Sequence, residues 1–187
     1  MPIRPLLATC AAACLMFQNA GAVTLPADGQ WNIFDVDSSS AGSGGIEWID
    51  IGSGQALHFT FDIATGLFGD LSVVDGGYAG DSFKVYNGAK LLGVTSAPTD
   101  SDPFNVYSDF DAALANADYS RRSFQLGAGH YDITGWLERS ALIGGVAYDA
   151  TVGAIRLSVS AVPEPASAAL LLAGLALVGM KLNRRRT

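Results

Sequence analysis

Ala56-Leu57-His58-Phe59-Thr60-Phe61-Asp62-Ile63 alternates apolar and polar side chains without a break. In an extended chain successive side chains point to opposite faces, so Leu57, Phe59, Phe61 and Ile63 share one face. His58, Thr60 and Asp62 share the other. Such a segment is a strand with one buried and one wetted side, the pattern of an antiparallel sheet. Similar short runs occupy residues 30–36, 46–51, 67–74, 82–87, 90–94, 123–126, 131–137 and 152–160, separated by Gly, Asp, Asn and Ser. In the first of these, Trp31 and Ile33 fall on one face and Phe34 and Val36 on the other. Nine period-two segments with regular breaks predict an all-β fold, an antiparallel β-sandwich. Asn87-Gly88 is a tight-turn signal joining two of them. Residues 38–45 (Ser-Ser-Ser-Ala-Gly-Ser-Gly-Gly) read as the most flexible loop. One short helix interrupts the pattern. Ser108-Asp109-Phe110-Asp111 has the form of a capping box, with Ser108 at the N-cap, before Ala112-Ala113-Leu114-Ala115. One or two turns across the open end of the sandwich are expected.

The two ends of the chain differ from this middle. Arg4, the apolar run 6–17 and Ala20-Gly21-Ala22 have the order of a secretory signal peptide, with Ala20 and Ala22 as the small residues of the cleavage site. Residues 1–22 are therefore expected to form a signal helix removed by signal peptidase, with the mature chain starting at Val23. Both cysteines, Cys10 and Cys14, lie in that segment, so the mature protein is expected to have no disulfide. At the other end Pro163-Glu164-Pro165 precedes a charge-free run, 166–180, followed by Lys181, Arg184, Arg185 and Arg186. Each proline fixes φ and disfavours helix just before it, so the box is an extended stretch. A transmembrane helix over 166–182 would be roughly 25 Å long against a hydrocarbon core of about 30 Å, a deficit that snorkelling by Lys181 and local thinning can absorb. The arginines are expected to stay cytoplasmic, with everything before Pro163 outside.

Box, helix and terminal arginines in that order resemble the PEP-CTERM sorting signal of Gram-negative bacteria. The resemblance implies recognition by exosortase, cleavage near the Pro-Glu-Pro box, and release of the upstream domain from the inner membrane towards the cell surface. Within residues 23–161 the segments starting at Asp81 (Asp-Ser-Phe-Lys-Val-Tyr-Asn-Gly), Leu91 (Leu-Leu-Gly-Val-Thr-Ser), Asp109 (Asp-Phe-Asp-Ala-Ala-Leu-Ala), Gly127 (Gly-Ala-Gly-His-Tyr-Asp-Ile-Thr-Gly) and Arg156 (Arg-Leu-Ser-Val) resemble an ectodomain type that recurs among PEP-CTERM proteins. That resemblance implies a jelly-roll or CUB-like sandwich and carries no activity. The cysteines of CUB domains are absent.

The whole chain has a formal net charge of −7. Of its 18 acidic residues only Glu164 lies outside 23–161, and of its 11 basic residues Arg4, Lys181, Arg184, Arg185 and Arg186 do, so this middle part carries about −11. That balance argues against binding to nucleic acid or anionic lipid, which needs clustered Lys and Arg.

Several residue types that could carry chemistry are present. His58 and His130 are the two histidines; with no cysteine in the mature chain and no close His spacing they do not form a zinc motif, and both are expected at a surface or edge. Gly-Ser-Gly occurs at residues 42–44 and 52–54 without the spacing of a nucleophile elbow. Glu47 and Glu138 are available carboxylates, but nothing in the sequence pairs them across a cleft. Paired aspartates are more frequent: Asp35 and Asp37, Asp100 and Asp102, Asp109 and Asp111. Close carboxylates disfavour each other's ionisation unless a cation neutralises them, and calcium takes such oxygens. Asp81, Asp109 and Asp111 are the candidate calcium ligands. Otherwise Asp75, Asp100, Asp102 and Asp118 read as turn formers and Asp109 and Asp111 as helix caps. The run from Asp35 begins like an EF-hand loop but has Ser40 where that loop needs glycine. Trp31, Trp48 and Trp136 are candidates for a sugar-binding platform, with Tyr78 beside them, although strand tryptophans commonly belong to the core. These features predict a non-enzymatic, exported surface or matrix protein, with a carbohydrate- or calcium-binding module of the exopolysaccharide matrix as the alternative.

Overall fold

Apolar alternation at period two is satisfied when strands pair into a sheet and a second layer covers their apolar face. The computed structural model meets both demands. It describes residues 21–99, 106–107, 109–162 and 174–175. In chain order the strands are β1 (Gly21–Thr24), β2 (Asn32–Asp37), β3 (Ile49–Asp50), β4 (Gln55–Ile63), β5 (Leu67–Asp75), β6 (Gly77–Tyr78), β7 (Ser82–Asn87), β8 (Lys90–Val94), β9 (Val106–Tyr107), β10 (Arg121–Leu126), β11 (Gly129–Arg139), β12 (Leu142–Ile143), β13 (Val146–Ala147) and β14 (Ala150–Ala161); helix α1 is Phe110–Ala115. Every strand expected from alternation is present, within a few residues at each end. The additional ones are pairs of two-residue strands (β6 with β9, β12 with β13) and β1, which the sequence pattern did not reveal.

The strand path is β10-β5-β14-β2-β3-β4-β11-β7-β8, with β1 beside β4. Strand β4 belongs to both layers. Its first residues, Gln55 and Ala56, pair with Asp50 and Ile49 of β3, while Phe59 to Ile63 pair with Ile133 to Gly129 of β11. One layer is thus β10-β5-β14-β2-β3 and the other β1-β4-β11-β7-β8. At the far edge, residues beyond β8 meet the start of β10: Ser96 N donates to Arg121 O and Arg121 N donates to Ser96 Oγ, both at 3.0 Å. The result is a sandwich with a barrel-like second seam. All of its ladders are antiparallel except β1–β4, which is parallel, a departure from the expected wholly antiparallel fold.

The alternation at β4 places Leu57, Phe59, Phe61 and Ile63 in the core. Phe34 and Val36 of β2, Leu71 and Val73 of β5, and Ile155 and Leu157 of β14 face them from the other layer, and Phe83, Val85, Ile133 and Leu137 lie beside them in their own. At the centre the rings of Phe34 and Trp48 stack 3.8 Å apart, 16° from parallel. Glycines flank this pair on both sides. A Cβ on Gly135 of β11 would lie 2.0 Å from Trp48 Cε2, and one on Gly153 of β14 would lie 2.3 Å from Phe34 Cζ. The two rings therefore fill the space between the layers because β11 and β14 lack side chains at Gly135 and Gly153.

A second cluster covers the outer face of β5 and β14: Val74, Ala79, Phe110, Ala113, Tyr119 and Ala154. Here α1 lies against the sheet face, not across an open end as expected. Its N-cap is Asp109, not Ser108: Asp109 Oδ1 accepts from the backbone N–H of Asp111 and Ala112. The hairpin β7–β8 also differs by one residue from the Asn-Gly expectation. Asn87 pairs with Lys90, so Gly88 and Ala89 form the loop, with Gly88 at φ 54°. The Asn87 side chain instead accepts from Asp132 N. The serine-rich loop is tied down, since Ser39 and Ser40 donate to the Asp37 carboxylate and Gly42 N donates to Gly54 O.

Residues 1–20 with Ala20, the box Pro163, Glu164 and Pro165, and Lys181, Arg184, Arg185 and Arg186 lie outside the described residues, as does nearly all of the expected helix 166–182. Among the described residues no helix is long and apolar enough to cross a membrane. Ala22 and Val23, which flank the expected signal cleavage bond, lie in β1, paired with His58 and Phe59.

Candidate functional site

The polar side chains of β4 and β11 share the outer face of the second layer. Register sets this arrangement: Thr60 is opposite Asp132, and Asp62 opposite His130. His58 Nδ1 lies 2.9 Å from Asp132 Oδ1, and His130 Nδ1 lies 2.9 Å from Asp62 Oδ1. In each contact the carboxylate accepts and the imidazole donates. Both histidines are thus surface residues engaged by a cross-strand aspartate. Trp136 pairs with Lys84 on one side and bridges to Glu47 on the other. Lys84 forms an ion pair with Glu138, which raises the Lys84 pKa.

Residues 46–48 are the reason a groove opens there. Instead of continuing β3 they wedge between β4 and β11: Leu137 N donates to Ile46 O, Trp48 N to Gly135 O, and Leu57 N to Trp48 O. The expected strand over 46–51 is therefore reduced to Ile49–Asp50. The groove has a volume of about 230 Å³ and is lined by Glu47, Trp48, His58, Thr134, Gly135 and Trp136, among others. Trp136 is 45% exposed at its rim. Glu47 is buried; its Oε1 accepts from the Ser43 hydroxyl, while Oε2 has no hydrogen-bond partner. The Trp48 indole N–H is also buried without a partner. An exposed indole beside a carboxylate, an imidazole and a threonine hydroxyl can stack on a ring and hydrogen-bond its substituents.

The three tryptophans expected to form one platform are not together. Trp48 is a core residue, 1% exposed. Trp31 sits by α1, where its Nε1 donates to Asp111 Oδ1 at 3.1 Å and Arg156 Cζ lies 4.3 Å from its ring centre. Of the three, Trp136 is the one exposed at the rim of the groove, where Trp48 contributes only to the floor. Tyr78 lines a different one, of about 270 Å³, with Tyr148, Ile51, Asp35 and Asp37. Burial and the nearby Asp50 and Asp37 charges raise the Asp35 pKa.

The candidate calcium ligands are likewise separated in role. Asp109 caps α1, and Asp111 accepts from Arg156 Nη1 at 2.7 Å as well as from Trp31. Asp81 is buried, and its Oδ1 accepts from Ala141 N at 2.9 Å. Among the described residues no group of three or more His, Cys, Asp or Glu is placed to hold a metal. Asp100 and Asp102 lie outside the described residues. Asp75, read from sequence as a turn former, is fully buried at the end of β5. Burial, then the neighbouring Asp81 charge, pushes its pKa well above the usual carboxylate range. Burial likewise pushes the Asp81 carboxyl up to about 6. Gly76-Gly77 immediately after Asp75 concealed it, because Asp-Gly reads as a turn; the valines at 73 and 74 were the available signal of depth.

Fold and tail define a class: a β-sandwich-like ectodomain followed by a C-terminal sorting signal. Residues 161–186 match the PEP-CTERM protein-sorting motif, and the chain carries that motif. The motif implies an exported, membrane-anchored precursor processed by exosortase. Among curated proteins none matches this chain. Three solved structures are similar to it in part. The pre-peptidase C-terminal domain of a collagenase from Bacillus anthracis is 12% identical, with a TM-score of 0.38, over 75% of this chain and 96% of that one. PliG from Aeromonas hydrophila, a periplasmic inhibitor of g-type lysozyme, is 11% identical, with a TM-score of 0.37, over 74% and 97%. The C-terminal CBM6 of LamC, a laminarinase from Zobellia galactanivorans, is 12% identical, with a TM-score of 0.32, over 68% and 99%.

Proposed function

We propose that this chain is a non-enzymatic cargo of the exosortase route, working as a structural or adhesive component of the cell surface or the extracellular polysaccharide matrix. Signal peptidase removes residues 1–22, the helix over 166–182 holds the precursor in the inner membrane with Lys181, Arg184, Arg185 and Arg186 on the cytoplasmic side, and exosortase acts at Pro163-Glu164-Pro165. The observation that carries this reading is the motif match at residues 161–186. The acidic ectodomain supports it, because a strongly negative chain stays soluble once released. A tag within the ectodomain tests it: in cells with exosortase the tag is expected at the surface or in the medium without residues 166–187, and in cells lacking exosortase it is expected in the inner membrane. A surface form that keeps its C-terminal arginines in exosortase-containing cells refutes the proposal.

A second reading, that the ectodomain binds carbohydrate, is favoured by Trp136 at the rim of the groove with Glu47 and His58. Replacing Trp136 with Ala is expected to abolish retention on the organism's own exopolysaccharide while leaving the melting temperature unchanged. Retention equal to that of the unaltered protein removes this reading.

A further inference from the structure

Asp75 is completely buried and Asp81 is 2% exposed. Asp75 Oδ2 accepts from the backbone N–H of Asp81 at 3.3 Å. Asp75 Oδ1, equally buried, has no hydrogen-bond partner. A buried carboxylate oxygen without a partner is costly, and native proteins seldom leave one so. Asp81 adds a second buried carboxyl group; hydrogen bonds from Thr151 and Ala141 and the Arg139 charge favour its ionised form, and the Asp149 charge, a smaller effect, opposes it. The intervening segment turns through Gly77 at φ 64° and Gly80 at φ 140°.

We infer that Asp75 and Asp81 bind a hard divalent cation, calcium in particular, at the end of β5, with Asp75 Oδ1 as a direct ligand. Calcium takes six to eight oxygens and accepts backbone carbonyls and water beside carboxylates, so two aspartates suffice as its charged ligands. The cation supplies the missing partner of Oδ1 and offsets two buried negative groups. This site is distinct from the expected set Asp81, Asp109 and Asp111, of which it keeps only Asp81. It stands apart from the sorting tail and from the Trp136 groove.

The test uses the full chain purified in mild detergent and stripped with EDTA. Addition of 1 mM CaCl2 is expected to raise the melting temperature by about 5–10 °C, the shift a micromolar site produces at large ligand excess. Asp75→Asn, which keeps shape and removes charge, is expected to melt at one temperature with or without CaCl2. Terbium luminescence gives a second readout that needs no variant. Tyr119, whose hydroxyl donates to Gly77 O at 2.8 Å, is expected to sensitise one equivalent of bound Tb³⁺, and CaCl2 to displace it. A melting temperature unmoved by CaCl2, an equal shift in Asp75→Asn, or tyrosine-sensitised terbium that CaCl2 fails to displace overturns the inference.

Discussion

Gly135→Ala is a substitution for which general rules and this structure give opposite signs. In an open strand, adding a methyl group to glycine stabilises by roughly 0.5–1 kcal/mol, because the unfolded chain loses freedom. Here the new Cβ would lie 2.0, 2.4 and 2.5 Å from three atoms of the Trp48 indole. Carbon atoms rest at about 3.5–4.0 Å, so the overlap is close to 1.5 Å. The indole cannot withdraw. It stacks on Phe34, meets the edges of Phe59 and Phe83, and Phe34 is itself held against Gly153. Overpacking of this kind costs about 3 kcal/mol, the upper part of its usual range. For a domain of this size that corresponds to a fall in melting temperature of roughly 10 °C. Thermal unfolding followed by near-ultraviolet circular dichroism measures it. Trp48→Leu in the same chain is expected to relieve the clash, so the double variant should be less destabilised than the two single effects combined. A melting temperature within 2 °C of the unaltered protein, or additive effects in the cycle, refutes the ring-between-glycines account.

Three further outcomes follow from the geometry. In EDTA, stability is expected to fall as pH rises from 4.5 to 8. Asp75 and Asp81 have folded-state pKa values raised above their unfolded ones, so their stabilisation is complete below about pH 4 and is lost as pH climbs through about 6 for Asp81 and higher for Asp75. The Asp81 shift alone corresponds to about 3 kcal/mol, and urea midpoints that are flat or increase over this range contradict it. Asp109→Ala removes the acceptor for two helix N–H groups and is expected to cost about 1 kcal/mol, read as a lower urea midpoint with an unchanged slope. Gly88→Ala forces a left-handed φ of 54° on a residue with a Cβ, and is expected to cost roughly 1 kcal/mol by the same measurement.

Periodicity in the chain established which segments are strands and which of their faces are wet. Leu57 to Ile63 shows why: in a strand, neighbouring side chains must point opposite ways, so local order alone assigns them. The sorting tail was equally readable, since a charge-free run ended by arginines needs no partner to be recognised. Tertiary structure settled matters of pairing. It sent residues 46–48 between β4 and β11 and so opened the Trp136 groove, sank the Phe34–Trp48 pair between two glycines, laid α1 on a sheet face, and buried Asp75 beside Asp81. None of these is a property of a local stretch. Each depends on which distant strand lies alongside, and hydrophobic burial, being non-directional, leaves that choice to the packing of the whole.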